Sequence, residues 1–137
     1  MRAGPPAVTI HGLEDGDSVL RPGVPVMILS APGAALYAGA GWWRALIAEL
    51  RARHPGAVFV DLLDCADAPG RAAEALRAGQ KAILFHAETP AILAAIQAMA
   101  EACQAQVWTE RPEALDMAER GAARRLAAWL ALPACSG

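Results

Sequence analysis

Residues 82–103 read AILFHAETPAILAAIQAMAEAC, and this stretch decides the fold. Its first five residues form a short apolar run that suits a buried strand. Thr89 then stands where a helix N-cap belongs, and Pro90 occupies the first helical position, where its missing N–H is not needed. Apolar residues recur at helical spacing as far as Cys103. The stretch therefore predicts one complete βα unit.

The same order of elements recurs along the chain. Apolar runs at 24–30, 57–64 and 106–109 each end at a polar or small residue near a helix signal, and a shorter run covers 7–11. Strands that alternate with helices are typical of a parallel sheet. We predict a single α/β domain with about five parallel strands and helices on both faces, in a flavodoxin-like or Rossmann-like three-layer arrangement.

The segments between and beyond these units complete the prediction. Residues 1–6 are expected to be a flexible arm and residues 131–137 a frayed tail of the same domain. The segment 31–41 is rich in glycine and follows a strand, so we expect a long loop there. A last helix is expected from Glu113 to Leu130.

Two strand orders remain open for such a sheet. A flavodoxin-like order 2-1-3-4-5 places the carboxyl ends of strands 1, 3 and 4 side by side. Four polar side chains then share one crevice: His11, Asp64, Cys65 and His86. A half-barrel of order 1-2-3-4-5 places His11 beside Ser30 instead. We favour the first order, because an open half-barrel leaves an apolar inner face exposed unless two chains pair as a dimer.

The composition excludes several classes of partner. Of the 137 residues, 55% are hydrophobic and 19% are charged, so we expect a buried core and self-association as a homodimer. The net charge is -2 and the basic residues form no stripe, so we expect no nucleic acid partner. No apolar stretch approaches the ~20 residues of a membrane-spanning helix. The N-terminus lacks the apolar region of a secretory signal, and the three cysteines lack C-x-x-C spacing, which together predict a cytoplasmic location.

The sharpest chemical hypothesis concerns Cys65, which lies between a predicted strand end and a helix N-terminus. A helix dipole and a nearby imidazole favour the thiolate form of such a cysteine. Asp64 is placed to orient His86 or His11. The catalytic candidates are therefore Cys65, His86 and Asp64. The alternative interpretation makes Cys65 a small apolar residue packed at a strand end.

Residues 65–71 read CADAPGR. This C-x5-R spacing between a strand and a helix resembles the phosphate loop of cysteine-dependent phosphatases and of related sulfurtransferases. The resemblance implies that Cys65 is a nucleophile and that Arg71 binds the oxyanion. Two residues depart from the pattern, because Asp67 places a carboxylate near the anion and Pro69 lacks an amide donor. Asp67 also suits the N-cap of the following helix.

Other ligand candidates lie at the same predicted edge of the sheet. Ser30 ends a strand, Gly33 follows it, and Arg44 lies in the next helix, whose N-terminus suits a small anion. The glycine spacing matches neither a Walker loop nor a dinucleotide fingerprint, so the sequence names no cofactor. The polar residues at this edge are of metal-ligand type, yet their spacing matches no metal motif, and no metal site is predicted.

Three classes of function follow from these observations. We favour a non-enzymatic or regulatory module that binds a small polar or anionic ligand at the carboxyl edge of the sheet. The candidate ligand-binding residues are His11, Ser30, Gly33, Arg44, Asp67 and Arg71. The second class is a cysteine-dependent enzyme, phosphatase-like or sulfurtransferase-like, that uses Cys65 and Arg71. The third class is a structural subunit of a larger complex.

Overall fold

A computed structural model describes residues 2–132 and 134–135 of the chain. The strands in chain order are β1 (Arg2–Ala3), β2 (Ala7–Thr9), β3 (Val26–Leu29), β4 (Phe59–Asp64), β5 (Ala82–Leu84), β6 (Gln106–Trp108), β7 (Ala114–Asp116) and β8 (Ala134–Cys135). The helices are α1 (Leu13–Leu20), α2 (Ala34–Tyr37), α3 (Gly39–Arg53), α4 (Pro69–Arg77), α5 (Pro90–Ala102) and α6 (Ala122–Leu130).

The main sheet has six strands in the order β6-β5-β4-β3-β2-β7. Every neighbouring pair in it is parallel. This confirms the predicted α/β class, one parallel sheet with helices around it, with one strand more than the sequence suggested. Strands β1 and β8 form a separate parallel pair. Within the predicted arm and tail, Met1, Pro133, Ser136 and Gly137 lie outside the described residues.

The favoured strand order is wrong. Strands β2 to β6 follow one another across the sheet in chain order, as expected for the half-barrel alternative, and β7 adds beside β2. Each right-handed crossover therefore steps in the same direction across the sheet. His11 follows β2 and Ser30 follows β3, so these two residues end neighbouring strands. Cys65 follows β4, which β3 separates from β2, so His11 and Cys65 do not end adjacent strands.

The single helix predicted from Glu113 to Leu130 is also wrong. The segment forms strand β7 and, after a turn, helix α6. Leu115 is buried as expected, but it is a strand residue in register with Val8 of β2. Gly121 precedes α6 with a φ of 79°, a left-handed conformation that suits glycine. Pairing with β2 here overrides the helical preference of the local sequence.

The segment 31–41 is not a long loop. It contains the single turn of α2 and the start of α3. Gly33 and Gly39 have φ values of 69° and 87°, so the chain turns once before α2 and again at the first residue of α3. Glycine adopts these angles without a steric penalty, which explains its frequency here.

The buried apolar residues form two clusters. The larger cluster contains the buried apolar residues of all six helices together with strand residues such as Ile28 and Phe85. The smaller cluster consists of strand residues alone: Ala7, Met27, Leu29, Leu62 and Leu84. Because successive strand side chains point to opposite faces, the two clusters occupy the two faces of the sheet.

Helix α5 follows the prediction closely. Pro90 is its first residue, and Thr89 caps it, since Thr89 Oγ1 accepts a hydrogen bond of 3.2 Å from the Ile92 amide.

Across the part of the chain that the structure describes, no helix has the length and apolar character needed to cross a bilayer.

Candidate functional site

Arg111 lies across the carboxyl ends of three strands of the main sheet. Its Nη1 donates to Asp64 Oδ2 at 2.8 Å, and its Nη2 donates to the Ser30 carbonyl at 2.7 Å and to Thr9 Oγ1 at 3.1 Å. These partners belong to or directly follow β4, β3 and β2. The guanidinium therefore ties the crossing segment between β6 and β7 to the middle of the sheet.

Asp64 is almost fully buried, and its carboxylate is satisfied within the chain. Besides Arg111, its Oδ1 accepts a hydrogen bond of 2.8 Å from the Ala66 amide. The Asp64 amide donates to Ser30 Oγ at 2.9 Å. The sequence predicted Asp64 as an orienting group for histidine, but its partner is Arg111, which sequence reasoning missed.

His11 and Asp116 form a second pair at this edge. His11 Nε2 and Asp116 Oδ1 lie 2.6 Å apart, and about a third of each side chain is exposed. Burial alone would raise the pKa of Asp116. Hydrogen bonds from the Ala118 amide and His11, and the charges of His11 and Arg111, outweigh burial and hold that pKa below its ordinary value.

Cys65 lacks the features of an activated nucleophile. Its side chain is fully buried, and Sγ lies 3.8 Å from the Leu63 carbonyl oxygen. Burial, assisted by the Asp64 charge, raises the pKa of Cys65 to about 12. The thiol is therefore protonated at neutral pH, whereas nucleophilic cysteines have lowered pKa values. His86 is exposed and lines an open cavity that does not include Cys65.

The C-x5-R segment does not form a phosphate loop around Cys65. Arg71 is exposed on α4 and pairs with Glu74 at 3.2 Å. Helix α4 begins at Pro69 with Ala68 as its N-cap and without a side-chain cap, so the N-cap role predicted for Asp67 is wrong. The buried thiol and the exposed guanidinium are therefore not brought together on one anion.

Two further ligand candidates have structural roles. Ser30 is fully buried, and its Oγ donates to the Ala31 carbonyl at 3.2 Å while accepting from Asp64. Gly33 precedes the four-residue helix α2. In the ranges that the structure describes, no group of three or more His, Cys, Asp and Glu side chains is arranged to hold a metal ion.

Another concave site lies elsewhere, at the gap between β4 and β5. We call it the basic cavity. It has a volume of about 500 Å³ and is lined by three cationic side chains, Arg44, Arg51 and Lys81. Strand β4 pairs with β5 only at Leu63 and Asp64. The earlier residues of β4, Val60 to Leu62, line the cavity instead.

Asp61 is the only carboxylate among the residues that line the basic cavity. Its Oδ2 accepts hydrogen bonds from Trp43 Nε1 at 2.9 Å and Gln80 Nε2 at 2.8 Å. Its Oδ1 lies 3.7 Å from Arg51 Nη2. The sequence presents Asp61 as an acid inside an apolar strand. The structure gives it three partners, so its charge is already partly compensated.

The three cations differ in how firmly they are held. The Arg51 guanidinium lies 4.2 Å from the centroid of the Phe59 ring, a cation–π contact. Lys81 Nζ donates to the Cys103 carbonyl at 2.9 Å, which leaves two further ammonium donors. Arg44 forms no ion pair with any described residue. The sequence predicted that Arg44 binds an anion at the N-terminus of α3. In the structure, the Arg44 side chain lines the basic cavity.

The basic cavity could not be assembled from a sequence motif, because its walls come from five separate elements, helix α3 and strands β3 to β6. Two local signals point toward it. Arg44 and Arg51 are two turns apart on α3 and so share one face of it. Asp61 interrupts an apolar strand and needs a buried donor.

No protein-family model matches the chain, and no curated protein matches its sequence.

Proposed function

We propose that this protein is a non-enzymatic binding module for a small anionic ligand and that the ligand occupies the basic cavity. The observation that carries the proposal is the convergence of Arg44, Arg51 and Lys81 on one cavity whose single carboxylate is already bonded. Its volume of about 500 Å³ lies within the range typical of small-molecule sites.

Charge pairing favours this cavity over the carboxyl edge, where the sequence suggested the ligand. At the carboxyl edge, Arg111 is paired with Asp64 and His11 with Asp116. An anion there would compete with carboxylates already in place. In the basic cavity, the excess of positive charge is unmatched by the lining residues, so an added anion gains Coulombic energy.

Two features support a binding role over catalysis. The lining of the basic cavity includes no histidine, cysteine, serine or threonine. At the carboxyl edge, Cys65 is buried with a raised pKa, which disfavours the cysteine-dependent enzyme. The odd number of cysteines and their lack of C-x-x-C spacing suit a reducing compartment, and we propose the cytoplasm.

A second candidate function is that of a subunit in an assembly, either a homodimer or a larger complex. Leu36, Tyr37 and Trp42 are exposed in α2 and at the start of α3, with Tyr37 70% exposed. Aromatic residues are enriched at protein interfaces. Sedimentation of the isolated chain distinguishes the homodimer from the larger complex. A dimer supports self-association, whereas a monomer supports a different protein as the partner of this surface.

The anion proposal is tested by calorimetric titration of the full chain with acetate, benzoate, octanoate, inorganic phosphate and phenyl phosphate. We expect at least one of these anions to bind, and Arg44→Ala to weaken its binding about tenfold, the effect of losing one charge-assisted hydrogen bond. The matched control is Arg77→Ala, which removes the same charge from an exposed position of α4. Equal binding by the two variants, or no binding of any anion, would contradict the proposal.

A further inference from the structure

The basic cavity has an apolar wall in addition to its cations. Met27 and Leu62 belong to the smaller buried cluster, and Trp108 packs against that cluster. All three also line the cavity. Val60 lies in register with Met27 and is 52% exposed. An exposed valine on the same face as buried apolar residues extends the apolar surface available to a bound molecule.

The cationic and apolar groups come from different elements. Arg44 and Arg51 belong to α3, and Lys81 directly precedes β5, whereas Met27, Leu62 and Trp108 belong to strands. A purely inorganic anion would leave the apolar wall in water. A purely apolar molecule would desolvate the cations without compensating them. A ligand that satisfies both walls needs an anionic group and an apolar body.

Trp108 adds a directional donor to the apolar wall. Its indole N–H makes no hydrogen bond to any residue described in the structure, so it is free to donate to a bound ligand. Gln104 and Gln106 lie beside it in the lining and supply amide donors and acceptors. These groups suit a ligand that carries polar atoms along its apolar body.

From these contacts, and resting on the proposed function, we infer that the ligand is an amphipathic anion. Its carboxylate or phosphate group contacts Arg44, Arg51 and Lys81, and its aliphatic or aromatic body contacts Met27, Leu62 and Trp108. The anionic group sets the orientation of the ligand, and the apolar body supplies most of the selectivity.

The test compares ligands that differ in one property at a time. Octanoate is titrated against acetate, octyl phosphate against inorganic phosphate, and octan-1-ol serves as the uncharged partner of octanoate. Burial of one methylene tightens binding about fourfold. With two to three methylenes of the chain buried, we expect octanoate or octyl phosphate to bind at least about 30-fold more tightly than its short counterpart. The head group of the tighter ligand distinguishes a carboxylate from a phosphate, and either result supports the inference.

A pair of exposed valines locates the binding site. Val60→Glu places a carboxylate in the cavity lining, and we expect it to weaken binding of the tighter long-chain anion at least about tenfold. Val58→Glu is the control, since Val58 is 67% exposed and does not line the cavity. Both positions are exposed, so both variants are expected to fold, which far-ultraviolet circular dichroism checks. Equal effects of the two variants would overturn the assignment to this cavity.

The outcomes separate the inference from the proposed function. If acetate binds as tightly as octanoate and inorganic phosphate as tightly as octyl phosphate, the inference is overturned while the anion-binding proposal stands. If octan-1-ol binds as tightly as octanoate, the anionic group contributes nothing and both are overturned. If no anion binds at all, the proposed function itself fails.

Discussion

Arg111 and Asp64 form an ion pair at the centre of the sheet's carboxyl edge, in which the carboxylate is buried and the guanidinium is a quarter exposed. The Nη1 and Oδ2 atoms are 2.8 Å apart, and only 5% of the Asp64 side chain is exposed. The same guanidinium reaches Ser30 and Thr9, so one side chain joins three strands to the segment that connects β6 with β7.

Removal of Arg111 is expected to be strongly destabilising. In Arg111→Ala the buried Asp64 carboxylate loses its cation. Breaking a fully buried pair costs about 3–5 kcal/mol of the free energy of unfolding, and the partial exposure of the guanidinium places this loss at the lower end of that range. Arg111→Lys should recover only part of this loss, because an ammonium cannot reproduce the planar fork. Urea unfolding measures both variants. Arg120→Ala is the control, because Arg120 is exposed, and it should change the free energy of unfolding little. An equally small effect of Arg111→Ala would refute the prediction.

Acidification should weaken the His11–Asp116 pair. The pKa of Asp116 is lower in the folded chain than its ordinary value of 3.8, so the folded state binds fewer protons than the unfolded state in that range. Its contribution to stability is present above the ordinary value and is lost as the pH falls through the lowered pKa. The difference in urea midpoint between the natural chain and Asp116→Asn should therefore shrink as the pH falls from about 5 to below 3.8. A difference that grows on acidification would show that the sign is wrong.

Gly16 is required by the packing of α1 against α3. A Cβ atom at this position would lie 2.6 Å from both terminal methyl carbons of Leu50 and 3.1 Å from its Cγ. Leu50 is fully buried and has little room to shift. Overpacking costs about 1–3 kcal/mol, and the gain in helix propensity returns at most about 1 kcal/mol, so Gly16→Ala should lose about 1 kcal/mol.

Gly41 provides the control for this prediction. A Cβ atom there meets no atom within 4 Å, and the residue is exposed in α3. Gly41→Ala should stabilise the protein by roughly 0.5–1 kcal/mol. Thermal unfolding compares the two variants. A Gly16→Ala variant as stable as Gly41→Ala would mean that Leu50 repacks freely.

Cys65 should be chemically inert in the folded protein. Its thiol is buried and its pKa is raised to about 12, so almost no thiolate is present at neutral pH. Iodoacetamide should modify the partly exposed Cys103 faster than Cys65, and peptide mapping by mass spectrometry distinguishes the two. In urea, both should react at similar rates. Labelling of native Cys65 at the rate of a model thiol would revive the cysteine-dependent enzyme.

The local elements were predictable because their signals are local. Thr89 and Pro90 fix the start of α5 through one hydrogen bond and one backbone angle. The apolar runs identified five of the six strands of the main sheet. Ala114 to Asp116 was missed because its strand character depends on pairing with β2, which lies near the other end of the chain.

The strand order and the basic cavity depend on long-range geometry. A βα unit does not specify on which side the next strand is added, so two orders fitted the sequence, and the exposure of an apolar face was the only ground for favouring one of them. The cavity arises where β4 and β5 stop pairing before Leu63, a property of two strands together. Arg111 was missed for the same reason, since its three partners come from three different strands.

The placement of β7 beside β2 has a consequence for synthesis of the chain on the ribosome. Strands β2 to β6 emerge in the order in which they pair, so each new strand finds its neighbour already made. The edge of β2 that faces away from β3 stays unpaired until β7, the final strand of the main sheet, has been translated. Until then β2 itself is an edge strand, and its unpaired backbone groups can pair with another chain.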